Sequence, residues 1–198
     1  MKHIIFLDGD GTLWYPAKTK RGDVTHWIYL DPETKDNYLS HMELCPHVYE
    51  TVAGLYAYGF TLVLISMSPK PQAEAREEHR QKLEHFNLFP FFEEWYWYAA
   101  PDKDPEGKAR IMKTVLEEHN LSVTNATMIG DSIKYDYQPA VDMGMESYLI
   151  ESDMAPDADN AKRDTSQLNT ISEVHDLITK WDLRIPLTDS EHSLTSDG

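Results

Sequence analysis

The chain has 198 residues, 41% hydrophobic and 26% charged, enough for one domain with its own core and too few for a second full one. Its 18 basic and 34 acidic residues give a net charge of −16, which repels nucleic acid and anionic membrane in the absence of a basic patch. The single cysteine, Cys45, excludes an internal disulfide, no apolar run reaches membrane-span length, and MKHIIFLDGDG does not read as a secretory signal, so a reducing cytoplasm is expected.

Short apolar runs alternate with helical patterns, which predicts an α/β fold with a central parallel sheet covered on both faces. In chain order, His3–Asp8 is the expected first strand. Residues 15–45 break the rhythm: two strand-like pieces, Thr25–Leu30 and Tyr38–His41, flank Asp31-Pro32 and read as a β-hairpin flap. Pro46–Tyr58 is the next expected helix, with Pro46 near its first turn and Gly59 as its stop. Phe60–Ser66 is a strand, Pro71–Phe86 a charged helix lying on the surface, and Glu94–Tyr98 a third strand. A helix over Pro105–His119 follows, capped by Asp104 and turning Met112, Val115 and Leu116 inward. Ala126–Gly130 and Glu146–Ile150 are the remaining strands, with a short helix near Gln138–Met143. Thr170–Trp181 is a last helix opened by a capping box of Thr170 and Glu173. Residues 151–169 read as loop. The expected organisation is one catalytic domain over 1–181, with 15–45 as a minimal cap and 182–198 as a flexible tail.

Ligands of open parallel sheets bind beyond the carboxyl ends of the strands. Those ends carry Asp8-Gly9-Asp10-Gly11-Thr12, Ser66-Met67-Ser68 and Gly130-Asp131-Ser132, with Asp136 a turn further on. Carboxylates gathered at one edge repel each other unless a cation shares them. Oxygen ligands without thiolate or a histidine pair favour Mg²⁺, which also binds substrate phosphate. A carboxylate can attack phosphorus, and a second can protonate the leaving oxygen and then activate water. Ser66 and Lys108 offer a hydroxyl and an ammonium to phosphoryl oxygens, and Gly9 and Gly11 let the backbone approach. Lys108 in a first helical turn opposes the helix dipole, so a bound phosphate explains it better than the helix does. A calcium loop starting at Asp8 would need a glutamate at its twelfth position, which is Thr19.

DGDGTL at 8–13, Ser66 after LVLI, Lys108 and GDSIKYD at 130–136 resemble the four ordered motifs of the haloacid dehalogenase superfamily, over about residues 3–150. The resemblance implies a Rossmann-like three-layer sandwich with strand order 5-4-1-2-3. It implies Asp8 as nucleophile and metal ligand, and Asp10 as general acid/base giving its backbone carbonyl to the metal. Asp131 would bind Mg²⁺, Ser66, Lys108, Gly9 and Met67 would hold the phosphoryl group, and Asp136 and Ser132 would support them. Asp10 points to phosphate chemistry rather than dehalogenation, and the small insert after DGDGTLW resembles the magnesium-dependent phosphatase-like subgroup. The implied activity is hydrolysis of a small phosphorylated metabolite. A phosphosugar mutase, disfavoured by so small an insert, and a non-catalytic module of the same fold are the alternatives. Neither substrate nor oligomeric state is legible.

Other features carry ordinary readings. Asp136 could instead cap the short helix after it. HMELCPH (His41, Cys45, His47) is read as a loop with a buried thiol rather than a zinc site. Trp14, Trp27 and Tyr29 either line a substrate entrance or staple the flap. Lys18, Lys20 and Arg21 are read as a solvated loop, and Trp95–Tyr98 as core and edge packing.

Overall fold

The tetrapeptide Ile4–Leu7 forms the central strand, β1, and all four of its side chains are buried. Successive strand residues face opposite ways, so a strand covered on both sides needs no polar alternation. Ile5 and Leu7 enter one core cluster, Ile4 and Phe6 the other. The computed structural model describes residues 2–17, 27–68, 70–99, 106–152 and 167–182.

The remaining elements are β2 (Trp14–Pro16), α1 (Trp27–Leu30), β3 (Met42–Leu44), α2 (Val48–Ala57), β4 (Thr61–Ser68) and α3 (Gln72–His85). They continue with β5 (Phe92–Ala99), α4 (Gly107–Glu118), β6 (Ala126–Gly130), α5 (Gln138–Asp142), β7 (Glu146–Ile150), β8 (Gln167–Leu168) and α6 (Val174–Asp182). The main sheet runs β5-β4-β1-β6-β7-β8 with every pair parallel. Its first five strands have the order that the sequence resemblance implied. Val48, Val52 and Leu55 of α2, Leu83 of α3, and Val174 and Ile178 of α6 cover one face. Met112, Val115 and Leu116 of α4 and Ala140 of α5 cover the other. The result is a Rossmann-like three-layer α/β sandwich. Among the described residues no helix is long and apolar enough to cross a membrane.

The insert departs from the expected hairpin. Residues 27–30 form a helical turn and 38–41 a 3₁₀ turn, while residues 25 and 26 lie outside the described residues. Local side chains explain the difference. Asp31 Oδ1 accepts the Glu33 N–H at 2.8 Å and Thr34 Oγ1 donates to the Ile28 carbonyl at 2.9 Å, satisfying backbone groups inside a tight turn rather than a ladder. The antiparallel pair sits at the base of the insert instead, β2 against β3 with Trp14 opposite Leu44.

Smaller shifts have similar causes. Helix α2 starts at Val48, because His47 takes a left-handed conformation (φ 65°), so Pro46 precedes the helix instead of lying in its first turn. Glu173 reaches back to the Asn169 N–H at 3.2 Å, and Thr170 Oγ1 pairs with Ser172, so the expected capping box is displaced by one residue. Residues 167–168, read as loop, add β8 to the sheet edge, and α6 runs through Asp182. Asp104 and Pro105 lie outside the described residues, as do Lys18, Lys20 and Arg21.

Candidate active site

Strand β1 is flanked by β4 and β6, and the register pairs Leu7 with both Leu64 and Ile129. The chain therefore leaves β1 at the point where the strand order reverses, where an open sheet forms its crevice. Asp8 is the next residue, its N–H donating to the Ile129 carbonyl at 3.0 Å. Ser66 lies near the end of β4, and Asp131 directly follows β6. A Cβ added to Gly9 would come within 2.8 Å of Ser66 Oγ, which puts that hydroxyl hard against the loop. Met67 follows it, half-buried.

From the opposite face, α4 delivers Lys108 in its first turn. The ammonium donates to Asp8 Oδ1 and to Asp136 Oδ1 and is 4% exposed. Asp136 sits in a π-turn over 133–137, and its other oxygen accepts the Ser132 N–H at 3.0 Å. Its side chain is thus tied to Lys108 and Ser132; Tyr137, not Asp136, is the N-cap of α5. Ser132 in turn caps the π-turn by accepting the Tyr135 N–H at 3.3 Å.

Asp8, Asp131 and Asp136 each offer an oxygen within 4.8 Å of the others, and all three are buried. Burial first, and then the Asp136 charge, push the Asp8 carboxyl up to about 7 against the opposing pull of Lys108. Burial, followed by Asp8 and Asp136, also raises Asp131 well above the ordinary carboxylate range. Burial alone would lower Lys108, but Asp136 and Asp8 outweigh it and hold the ammonium above its usual value. One ammonium cannot neutralise three carboxylates at this spacing. The excess negative charge and the all-oxygen donor set suit a hard divalent cation such as Mg²⁺. The side-chain triad includes Asp136 rather than Asp10, whose carboxylate turns another way.

Asp10 Oδ1 accepts from Trp14 Nε1 and from the Tyr29 hydroxyl, each at 3.2 Å. Its Oδ2 faces Lys82 Nζ at 3.7 Å. Trp14 is fully buried and stacks on Phe86, so it staples the insert to the core, while Tyr29 reaches the site. Lys82 was not legible as a site residue. It lies on α3, the helix read as surface-lying, yet Ala75, Glu78, His79, Lys82 and Leu83 share a buried face at helical spacing. His79 is neutral there: burial, then Lys82, lowers it to about 4.

Elsewhere, Cys45 is half-buried and burial pushes its thiol far up. Among the described residues, Asp8, Asp131 and Asp136 are the one group of His, Cys, Asp or Glu gathered at metal-binding distance, and His41, Cys45 and His47 form none. Trp95–Tyr98 pairs with β4 through its backbone.

Gly11 ties the loop to the acidic cluster. It holds φ +86°, and a Cβ there would sit 2.0 Å from Asp131 Oδ2. Gly11→Ala combines left-handed strain with a collision against a buried carboxylate. It should lower stability by about 1–3 kcal/mol in urea titrations and weaken any thermal protection that an added divalent cation confers. Wild-type stability and protection in the variant would contradict this geometry.

A family model described as haloacid dehalogenase-like hydrolase matches residues 4–150. No curated protein matches the chain by sequence. Among solved structures, a haloacid dehalogenase-like family hydrolase from Streptococcus pneumoniae superposes with a TM-score of 0.65 at 16% identity, covering 89% of this chain and 98% of its own. A HAD phosphatase from Thermococcus onnurineus gives 0.62 at 18% identity, covering 90% and 98%. A Thermotoga maritima protein described as a β-phosphoglucomutase gives 0.64 at 16%, covering 91% and 99%. At these identities the likeness speaks for the fold.

Proposed function

The chain belongs to the haloacid dehalogenase-like hydrolase family, and on that premise we propose that it is a magnesium-dependent phosphatase acting on a small phosphorylated metabolite through an aspartyl-phosphate. The observation that carries this reading is the buried Asp8–Lys108–Asp136 bridge with Asp131 beside it at the ends of β1 and β6.

In the first step an Asp8 oxygen attacks phosphorus and forms an O–P bond while the bond to the leaving oxygen breaks. Asp10 gives a proton to that oxygen, so the leaving group departs as an alcohol. In the second step water attacks phosphorus, its proton passes to Asp10, and the Asp8–phosphorus bond breaks to release inorganic phosphate. Lys108, the Ser66 hydroxyl and the backbone at Gly9 and Met67 face the phosphoryl oxygens and stabilise charge spread over them in both steps. Asp136 and Ser132 hold Lys108 in place. Asp8, Asp131 and the Asp10 carbonyl would hold Mg²⁺, which when bound neutralises phosphate charge.

On this reading residues 1–181 act as one catalytic unit, with 15–45 as a minimal cap. A small substrate fits this arrangement, since the insert starts beside the buried Trp14 and, among the described residues, brings Tyr29 to Asp10. The setting proposed is a reducing cytoplasm, in keeping with one half-buried cysteine.

Purified protein should release phosphate from p-nitrophenyl phosphate with Mg²⁺ and stop on chelation. A panel of sugar phosphates, nucleotides and small phosphorylated acids, read by phosphate release, then identifies the substrate class. Interconversion of phosphosugar isomers without phosphate release would replace hydrolysis by a mutase reaction. Inertness across the whole panel with Mg²⁺ present would remove the enzymatic reading.

A further inference from the structure

Lys82 is the one buried cation of α3, 1% exposed, and although it stands in the last turn as the i,i+4 partner of Glu78, those helix contacts do not require it to be buried. Its ammonium meets Glu78 Oε1 at 3.0 Å and Asp10 Oδ2 at 3.7 Å. It also lies 4.8 Å above the Tyr29 ring and 5.7 Å from that of Trp14, within cation–π range of both. Glu78 has a second cation of its own, Lys70 at 2.9 Å, so Lys82 is not needed merely to neutralise it. Burying an ammonium is costly unless it is paired, which makes this placement informative. Asp10 is thus gripped on both oxygens, by two neutral donors on Oδ1 and by a cation facing Oδ2. One donor comes from the insert and the cation from α3, so two elements remote in sequence fix a single carboxyl rotamer.

We propose that Lys82 and Tyr29 form a clamp that positions the Asp10 carboxyl for proton transfer to and from the reacting oxygens. This rests on the reading of Asp10 as general acid/base. Each clamp residue acts through Asp10. A carboxyl free to rotate spends part of its time out of reach of the leaving oxygen, and loss of orientation lowers the rate of the proton-transfer step rather than substrate affinity.

The test is a double-mutant cycle read with two substrates, p-nitrophenyl phosphate and phenyl phosphate, whose leaving group needs its proton more. Lys82→Met should lower kcat for phenyl phosphate by about 10–100-fold and for p-nitrophenyl phosphate by less, with KM within about twofold. Lys82→Arg should recover most of the loss. Tyr29→Phe, which removes only a hydroxyl, should show a smaller loss with the same leaving-group bias, and it decides the matter should Lys82→Met fail to fold. Neither substitution should slow the enzyme further once Asp10→Asn is in place.

Losses that multiply in the Asp10→Asn background, fall equally on both substrates, or appear only in KM would overturn the clamp. The underlying reading fails separately: wild-type rates in Asp10→Asn itself would remove Asp10 from the chemistry, whatever Lys82 does.

Discussion

Asp8→Asn is expected to abolish phosphate release, by at least about 10⁴-fold in kcat, without unfolding the protein. The amide keeps the size and much of the hydrogen bonding of the carboxyl, and the Asp8 backbone remains tied to Ile129. What disappears is the oxygen nucleophile, since an amide oxygen does not form a stable bond to phosphorus. The substitution also removes one of the three carboxylates that repel one another around Lys108, which keeps Asp136 as its partner, so the variant should melt no lower than wild type in the absence of metal. The mechanism further predicts a chemical trace. Wild-type protein quenched in acid during turnover should carry acid-stable, hydroxylamine-sensitive phosphate, and Asp8→Asn none. Retained turnover in Asp8→Asn, or a phosphoenzyme formed without Asp8, would place the nucleophile elsewhere.

The sequence carried the site wherever a residue's place follows from strand topology. Asp8, Ser66 and Asp131 stand at or beyond the ends of three adjacent strands, and apolar runs such as Ile4–Leu7 admit little except a strand buried on both faces. Lys108 and Asp136 were found as members of ordered motifs, and the fold brings them together on one ammonium. Lys82 was missed for a physical reason. On a helix rich in Glu, Arg and Gln, a lysine belongs in water by default, and only tertiary placement of Asp10, Glu78 and Tyr29 around it reverses that preference. The periodic signal was present, but in polar residues (Glu78, His79, Lys82), where it does not read as a core face. The insert was misread for a related reason. Thr25–Leu30 looks like a strand by residue type, yet Asp31 and Thr34 answer the backbone locally and close a helical turn.

The acidic cluster makes metal, stability and pH inseparable, and Asp131→Asn should expose the link. A carboxyl whose pKa is raised in the folded state binds its proton more tightly there than in the unfolded chain. In the metal-free protein the Asp8 contribution to stability is therefore lost as pH rises from the ordinary aspartate value toward the folded one, from 3.8 to about 7, while His79, lowered to about 4, contributes in the opposite direction below 6.5. Asp131, raised by burial and by Asp8 and Asp136, acts in the same direction as Asp8. Mg²⁺ bound to the ionised cluster reverses this loss, so its thermal protection should be small at about pH 5 and large at about pH 8. At a concentration a hundred times its dissociation constant the gain is about 2.7 kcal/mol. Asp131→Asn removes one of the crowded carboxylates and one metal ligand at once. It should melt above wild type in chelator at about pH 8, gain little from Mg²⁺, and lose turnover by about a hundredfold or more. The combination is diagnostic, because a purely structural aspartate would cost stability when replaced, whereas one kept for a cation returns stability as it takes activity away. Identical melting of wild-type protein with Mg²⁺ and with chelator across this pH range would mean that the cluster holds no such ion.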